Sequence, residues 1–163
     1  MGEPPGPAWG PLTGAAARVR PATVADLPAL VALLADDPLG RQREQGADLA
    51  PYRAAFERID ADPAHLLVVA AEGSDAVGTL QLSFVPGLSR RGALRAQVEA
   101  VRVRADRRST GLGSALLRWA ITESRRRGCS LVQLTTDRSR ADAHRFYEAL
   151  GFVGSHVGYK LEL

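Results

Sequence analysis

Apolar residues recur along this chain with two different spacings, and the switches between them divide it into elements. Leu27, Leu30, Val31 and Leu34 share one face of a helix that Thr23, a favoured N-cap residue, opens. Tyr52, Ala55, Phe56 and Ile59 repeat that spacing in a second helix over about Leu49–Ile59, where Pro51 falls in the first turn and is tolerated. Alternation marks the strands. Ala17–Arg20 is a short one and His65–Ala71 a mostly apolar one. After a turn at Glu72–Asp75, Leu80, Leu82 and Phe84 alternate with Gln81 and Ser83 in Val77–Val85.

A further strand, about Arg95–Arg104, breaks its own rhythm: Val98 and Ala100 share one parity, Val101 and Val103 the other. A slip of one residue predicts a bulge near Ala100; a strand buried on both faces has a similar signature. A third helix carries Leu112, Ala115, Leu116 and Trp119 on one face and ends in Arg125–Arg127 and Gly128, a cationic last turn with a stop, most simply read as a solvated helix end. Leu131–Thr135 is a strand, and Ala143, Phe146, Tyr147 and Leu150 line a fourth helix that ends at Gly151. Phe152–Val153 and Val157–Leu161 close the chain as short strands. The order predicts an α/β (α+β) fold, a mixed sheet with helices on its faces.

The connections are polar. DDPLGRQREQGAD, residues 36–48, reads as a loop or a frayed helix end, and loops of this kind often hold substrate. PGLSRRGAL, residues 86–94, is an exposed hairpin loop; its Arg90 and Arg91, with Arg95, could also line a substrate mouth or a dimer contact. Residues 1–16, with four prolines by position 11 and neither a basic n-region nor an apolar core, read as a flexible tail rather than a signal peptide. That leaves residues 17–163 as one domain, a size that one buried core can serve.

Composition narrows the chemistry. The net charge is +3 and Lys160 is the one lysine, so the basic character rests on arginines scattered along the chain. They suit a small anionic ligand and form no stripe for nucleic acid. No apolar run approaches the length of a membrane span. A single cysteine, Cys129, excludes an internal disulfide, fits a cytoplasmic protein, and is better placed for packing than for nucleophilic attack. His65, His144 and His156 are too scattered for a ligand set, and no metal is expected.

The chemical signal is RRSTGLGSALL, residues 107–117: a glycine-rich turn directly after a strand and opening a helix. Free N–H groups and the helix dipole converge at such a turn, which makes it an anion site. A nucleotide-hydrolase P-loop needs a lysine that is absent, and a dinucleotide fingerprint needs a small residue where Leu116 stands. What remains is Arg-x-x-Gly-x-Gly at Arg108, Gly111 and Gly113.

In this setting VEAVRVRADRRSTGLGSALL, residues 98–117, resembles the cofactor-binding core of the GNAT superfamily of N-acetyltransferases, and SRADAHRFYEALGF, residues 139–152, resembles its closing helix. With RPATVADLPALVALL the resemblance covers nearly everything after residue 16. It implies the GNAT fold, with a sheet of about seven strands, a splayed β4/β5 pair in that family's count, and about four helices. It also implies acetyl-CoA as cosubstrate and acetyl transfer from the thioester to a small-molecule primary amine by direct attack in a ternary complex. A homodimer is a frequent assembly in the family. A silent acyl-CoA sensor and a protein or peptide amine as acceptor stay open as alternatives. DAHRFYEALGFVGSH resembles, more weakly, the aminoalkylphosphonate N-acetyltransferase branch, which points to an amine bearing an anionic group.

Roles follow residue by residue from that resemblance. The amides of Ser109, Thr110, Gly111, Leu112, Gly113 and Ser114 would wrap the pyrophosphate, Gly111 and Gly113 supplying close approach and positive φ, with Arg108 adding charge at the rim. Val101, Arg102 and Val103 would run beside the pantetheine arm, the Val101 N–H serving the oxyanion. Glu99 stands where many members carry a carboxylate base acting through water; the alternative is a strand carboxylate paired with Arg95, Arg102 or Arg104. Gln97, of the same parity, would orient substrate. Tyr147 matches the family tyrosine that protonates the leaving thiolate, or else is a packing residue beside Phe146. Arg140 stands where many members have Asn, so it either meets the phosphate end of the cofactor or that contact is missing.

Overall fold

The computed structural model describes residues 7–36, 40, 41, 44 and 48–163. Of the segment expected as a substrate-holding loop, residues 37–39, 42, 43 and 45–47 lie outside the described residues, as do residues 1–6 of the expected tail. In chain order the strands are β1 (Gly10–Pro11), β2 (Arg18–Pro21), β3 (His65–Glu72), β4 (Asp75–Pro86), β5 (Leu94–Val103) and β6 (Leu131–Leu134). The helices are α1 (Leu27–Ala35), α2 (Ala50–Asp60), α3 (Leu112–Arg126) and α4 (Ala141–Ala149). A single turn at Ser89–Gly92 joins β4 to β5 with Arg90 and Arg91 in left-handed backbone, φ 54° and 62°.

The strands lie in numerical order across one sheet. Neighbours from β1 to β5 pair antiparallel. Ser130 donates to the Leu94 carbonyl and Gln133 meets Gln97, so β6 runs in the same direction as β5 and covers only its first half. The sheet is therefore mixed, and beyond Gln97 β5 leaves β6 behind. This is the splayed pair, shifted by one in number because β1 precedes it.

One face packs α1 and α2: Leu27, Leu30, Leu33 and Phe56 cluster with Val69 and Ala71. Leu33, rather than Val31 and Leu34, completes the buried stripe of α1, because the sheet meets the helix on a face rotated from the one the spacing suggests. Asp26 sets the entry to α1. Its carboxylate accepts from Thr23 N–H and O–H at 2.8 and 2.9 Å and from Arg20 twice at 2.7 Å. The Arg20 guanidinium is the main reason its pKa falls to about 2, burial opposing and Thr23 assisting.

The other face packs α3. Leu112, Ala115, Leu116, Leu117 and Ala120 are buried along it, and a Cβ at Gly78 would meet Leu116 Cδ1 at 3.1 Å. Glycine there lets helix and sheet approach closely. The described part of residues 1–16 is held down rather than loose: Leu12 is buried, Trp9 stacks on Trp119 with ring centroids 5.6 Å apart, and Trp119 Nε1 donates to the Ala8 carbonyl.

Two sequence expectations need correction. Residues 152–163 form no strand; Val153, Val157, Tyr159 and Leu161 are exposed there, so six strands are seen among the described residues instead of about seven. Alternation alone does not make a strand without an edge to pair with. Of the triplet Arg125–Arg127 only Arg125 is exposed, so the run is not simply a solvated helix end. Arg126 and Arg127 both clamp Glu123, whose side chain has 0% exposure, and Arg127 also lies 4.2 Å over the Phe84 ring. The chain divides into two units, Met1–Gln133 and Leu134–Leu163. Among the described residues no helix is long and apolar enough to cross a membrane.

Candidate active site

The bulge expected near Ala100 is present. Thr79 faces Arg102 and Gln81 faces Glu99, so Leu80 stands against two residues, Ala100 and Val101, and Ala100 adopts φ 51°. Ala100 and Val101 thus have no single register partner on β4, and the strand is re-aimed just where β6 has ended. Glu99, the last residue before the bulge, is exposed. Among the described residues no ion pair joins it to the arginines considered as partners: Arg104 pairs with Asp106, and Arg102 Nη1 donates to the Val101 carbonyl.

The turn that follows β5 is pinned from both sides. Arg107 donates to Glu72 at the end of β3 and to Asp106, while the Thr110 hydroxyl donates to the Arg107 carbonyl at 2.8 Å. Arg108, expected at the phosphate rim, is engaged with Asp36 at the end of α1 at 2.7 Å and with the Val103 carbonyl at 3.1 Å. The backbone then passes through Ser109 at φ 63° and Gly111 at φ 88° into α3. Gly113 lies inside the helix with ordinary φ; the second left-handed residue is Ser109, which the glycine spacing did not suggest. The first helical bond runs from Ala115 N–H to the Gly111 carbonyl. Among the described residues, none of the amides from Ser109 to Ser114 donates to a backbone carbonyl. A row of uncommitted N–H groups at the head of a fifteen-residue helix is a geometry that suits an anion.

A cavity of about 430 Å³ opens beside it, lined by Gly14–Ala16, Glu72, Asp106, Arg107, Thr110 and Leu112. A larger groove of about 820 Å³ runs along α1 past Asp26, Asp36 and Asp75. Acidic and basic side chains line both, Arg104 in the larger and Arg107 in the smaller, so neither size nor lining by itself marks the site.

The family model described as the Acetyltransferase (GNAT) family matches residues 27–152, most of the chain. The chain belongs to the GNAT family. It is an N-acetyltransferase, and that family uses acetyl-CoA as cosubstrate. Over 112 residues it is 30% identical to the aminoalkylphosphonate N-acetyltransferase of Salmonella typhimurium, covering 69% of this chain and 72% of that protein. Its fold superposes with TM-score 0.87 on a transcriptional regulator from Bacillus halodurans, at 46% identity over 90% of this chain and 99% of the other. An acetyltransferase from Trypanosoma brucei gives 0.70 at 27% identity, over 90% and 99% of the two chains.

Glu99, Val101, Arg102, Val103 and Ser109–Ser114 thus sit on consecutive elements of the first unit of this GNAT protein. Tyr147 and Arg140 belong to the second. There Tyr147 meets Phe146 and Phe152, ring centroids 5.3 and 6.0 Å away. Arg140 precedes α4, its N–H bonded to the Asp137 carbonyl. His144 Nε2 also meets that carbonyl at 2.9 Å, and His65 Nδ1 lies 2.8 Å from Ser83 Oγ. Burial pushes the Cys129 thiol up, away from thiolate chemistry. The residue that sequence reasoning missed is Arg107: the paired arginines were visible, but only Glu72 shows that the first of them anchors the turn.

Proposed function

We propose that this protein moves the acetyl group of acetyl-CoA to the primary amine of a small molecule bearing an anionic group, by direct attack in a ternary complex. One observation carries the reading: the uncommitted amides from Ser109 to Ser114 at the head of α3, following a bulged strand whose register with β4 shifts between Glu99 and Arg102. They suit a pyrophosphate without help from a metal ion. Bound acetyl-CoA supplies an activated acyl carbon. Glu99 accepts, through water, the proton that the substrate ammonium loses to become the attacking neutral amine, and its exposure, with no arginine partner among the described residues, supports that role. The Val101 N–H, next to the bulge, stabilises the developing oxyanion. Tyr147 returns a proton to the departing thiolate, since a phenol and a thiol are acids of comparable strength. Arg108, held by Asp36, acts on the shape of the turn more than on the phosphate itself. The name of the Salmonella relative supports an acceptor of the aminoalkylphosphonate kind.

Release of free thiol from acetyl-CoA, followed against a panel of amines, tests the reading. Glu99→Gln is expected to lower kcat by about 10²–10⁴-fold and Tyr147→Phe by about tenfold or more, with coenzyme A binding retained. A protein that coenzyme A stabilises thermally, yet that acetylates no amine, is a binding module, and the proposal fails.

A further inference from the structure

The sheet face beneath α1 and α2 changes character along its length. Under the helices it is apolar, with Leu67, Val69, Ala71 and Ala76 packed against them, apart from buried Thr79, whose hydroxyl donates to the Val68 carbonyl. In the register of β3, β4 and β5 the next residues on that face are Gln81 opposite Glu99, then Ser83 between His65 and Gln97. The opposite parity of β4 stays apolar throughout, as Leu80, Leu82 and Phe84, so the polarity belongs to this face alone.

Each member of the Ser83–Gln97 pair is held by a second side chain. His65 Nδ1 lies 2.8 Å from Ser83 Oγ, and the ring's far nitrogen faces Asp62 at 3.8 Å. Gln133 Nε2 donates to Gln97 Oε1 at 2.8 Å. With its carbonyl oxygen occupied, Gln97 has its NH₂ left as the working end, and the contact of that group to the neighbouring Val98 carbonyl is long, 3.4 Å. In the tautomer with its proton on Nδ1, the imidazole donates to Ser83 Oγ and leaves the hydroxyl proton for a ligand. Ser83 is only 7% exposed, which fixes its rotamer. Directly opposed strand residues stand about 5 Å apart and residues two along a strand about 7 Å. Two fixed donors therefore face the same space, one strand step from Glu99.

We propose that Ser83 and Gln97 are specificity-determining residues for the acceptor. Their O–H and N–H bind an anionic oxygen of the amine substrate, a carboxylate or phosphonate, on the strand step next to Glu99. His65 and Gln133 are their positioning residues. The assignment rests on the amine-acetylating reading above and adds where the acceptor's other end is held.

The experiment compares 2-aminoethylphosphonate, β-alanine and propylamine at saturating acetyl-CoA. The protein is expected to prefer the two anionic amines to propylamine by tenfold or more in kcat/KM. Gln97→Glu, equal in shape but negative, cuts that preference at least tenfold, chiefly through KM; Ser83→Ala cuts it several-fold. The ratio between the phosphonate and carboxylate arms tells which oxyanion the pair was built for. Thermal stabilisation by 2-aminoethylphosphonate in the presence of coenzyme A reads the same site without turnover, and Gln97→Glu abolishes it. Preference for propylamine, or a preference that neither variant alters, overturns the assignment. If no amine is acetylated but stabilisation depends on Gln97, this site stands and the proposed reaction falls; acetylation of all three amines alike does the reverse.

Discussion

The two ends of α3 are both built for charge, and they treat it in opposite ways. At the C-terminal end the protein supplies both signs itself. Buried Glu123 accepts from Arg126 at 2.7 and 2.9 Å, from Arg127 at 3.0 Å and from the Ala8 amide at 3.4 Å. At the N-terminal end, the Ser109–Ser114 amides donate to no described backbone carbonyl, although arginines stand close by in sequence. Those arginines serve the walls of the turn: Arg107 goes to Glu72 and Arg108 to Asp36. A buried charge satisfied by the chain is architecture, whereas donors that the chain leaves unused are an invitation to a ligand.

That contrast can be broken by mutation. Glu123→Ala strands two guanidinium groups around a buried hole and is expected to lower stability by about 3 kcal/mol in urea unfolding, while coenzyme A affinity of the folded protein stays within about twofold. Gly111→Val should give the reverse profile. A branched side chain at φ 88° costs about 1–2 kcal/mol, but calorimetry should find coenzyme A binding weakened by about tenfold or more as the amides are displaced. Equal effects of the two substitutions on stability and affinity would abolish the distinction between the two ends.

Acid sharpens it further. Asp26 has its pKa lowered from 3.8 to about 2, chiefly by Arg20. A carboxylate depressed in the folded state contributes stability that is complete above the unfolded value and lost as pH falls through the folded one. Asp26→Asn should therefore remove about 1–2 kcal/mol at neutral pH, allowing for the solvent around Arg20, and flatten the fall in stability below pH 3.8. Glu123 titrates in the same sense: burial raises its pKa, but Arg126, Arg127 and the Ala8 amide outweigh burial and lower it. The smallest effect is expected at Arg108, whose side chain is 48% exposed. Arg108→Ala should cost less than about 1 kcal/mol in thermal unfolding.

Several features were legible in advance because they are written in neighbouring residues. The parity slip between Ala100 and Val101 announced the bulge, since a shift of one residue turns every later side chain to the other face. Arg-x-x-Gly-x-Gly after a strand announced a turn with left-handed Gly111 opening a helix. What could not be read is what depends on partners far along the chain. Trp9 and Trp119 stack across the molecule, Arg108 finds Asp36, and Gln97 finds Gln133. Arg126 and Arg127 looked like ordinary surface charge because nothing in RRRG reveals that Glu123 is buried between them and the body.

By itself, then, the amino-acid order determined the local vocabulary: where strands and helices form, where one strand slips, where a backbone turn frees its amides. These follow from steric and periodic constraints that act over a few residues. Only the tertiary structure decided which charges are consumed and which are left for a ligand, and which face of the sheet becomes polar beside Glu99. Those outcomes depend on pairing and burial between segments far apart, and no short stretch of sequence contains both partners.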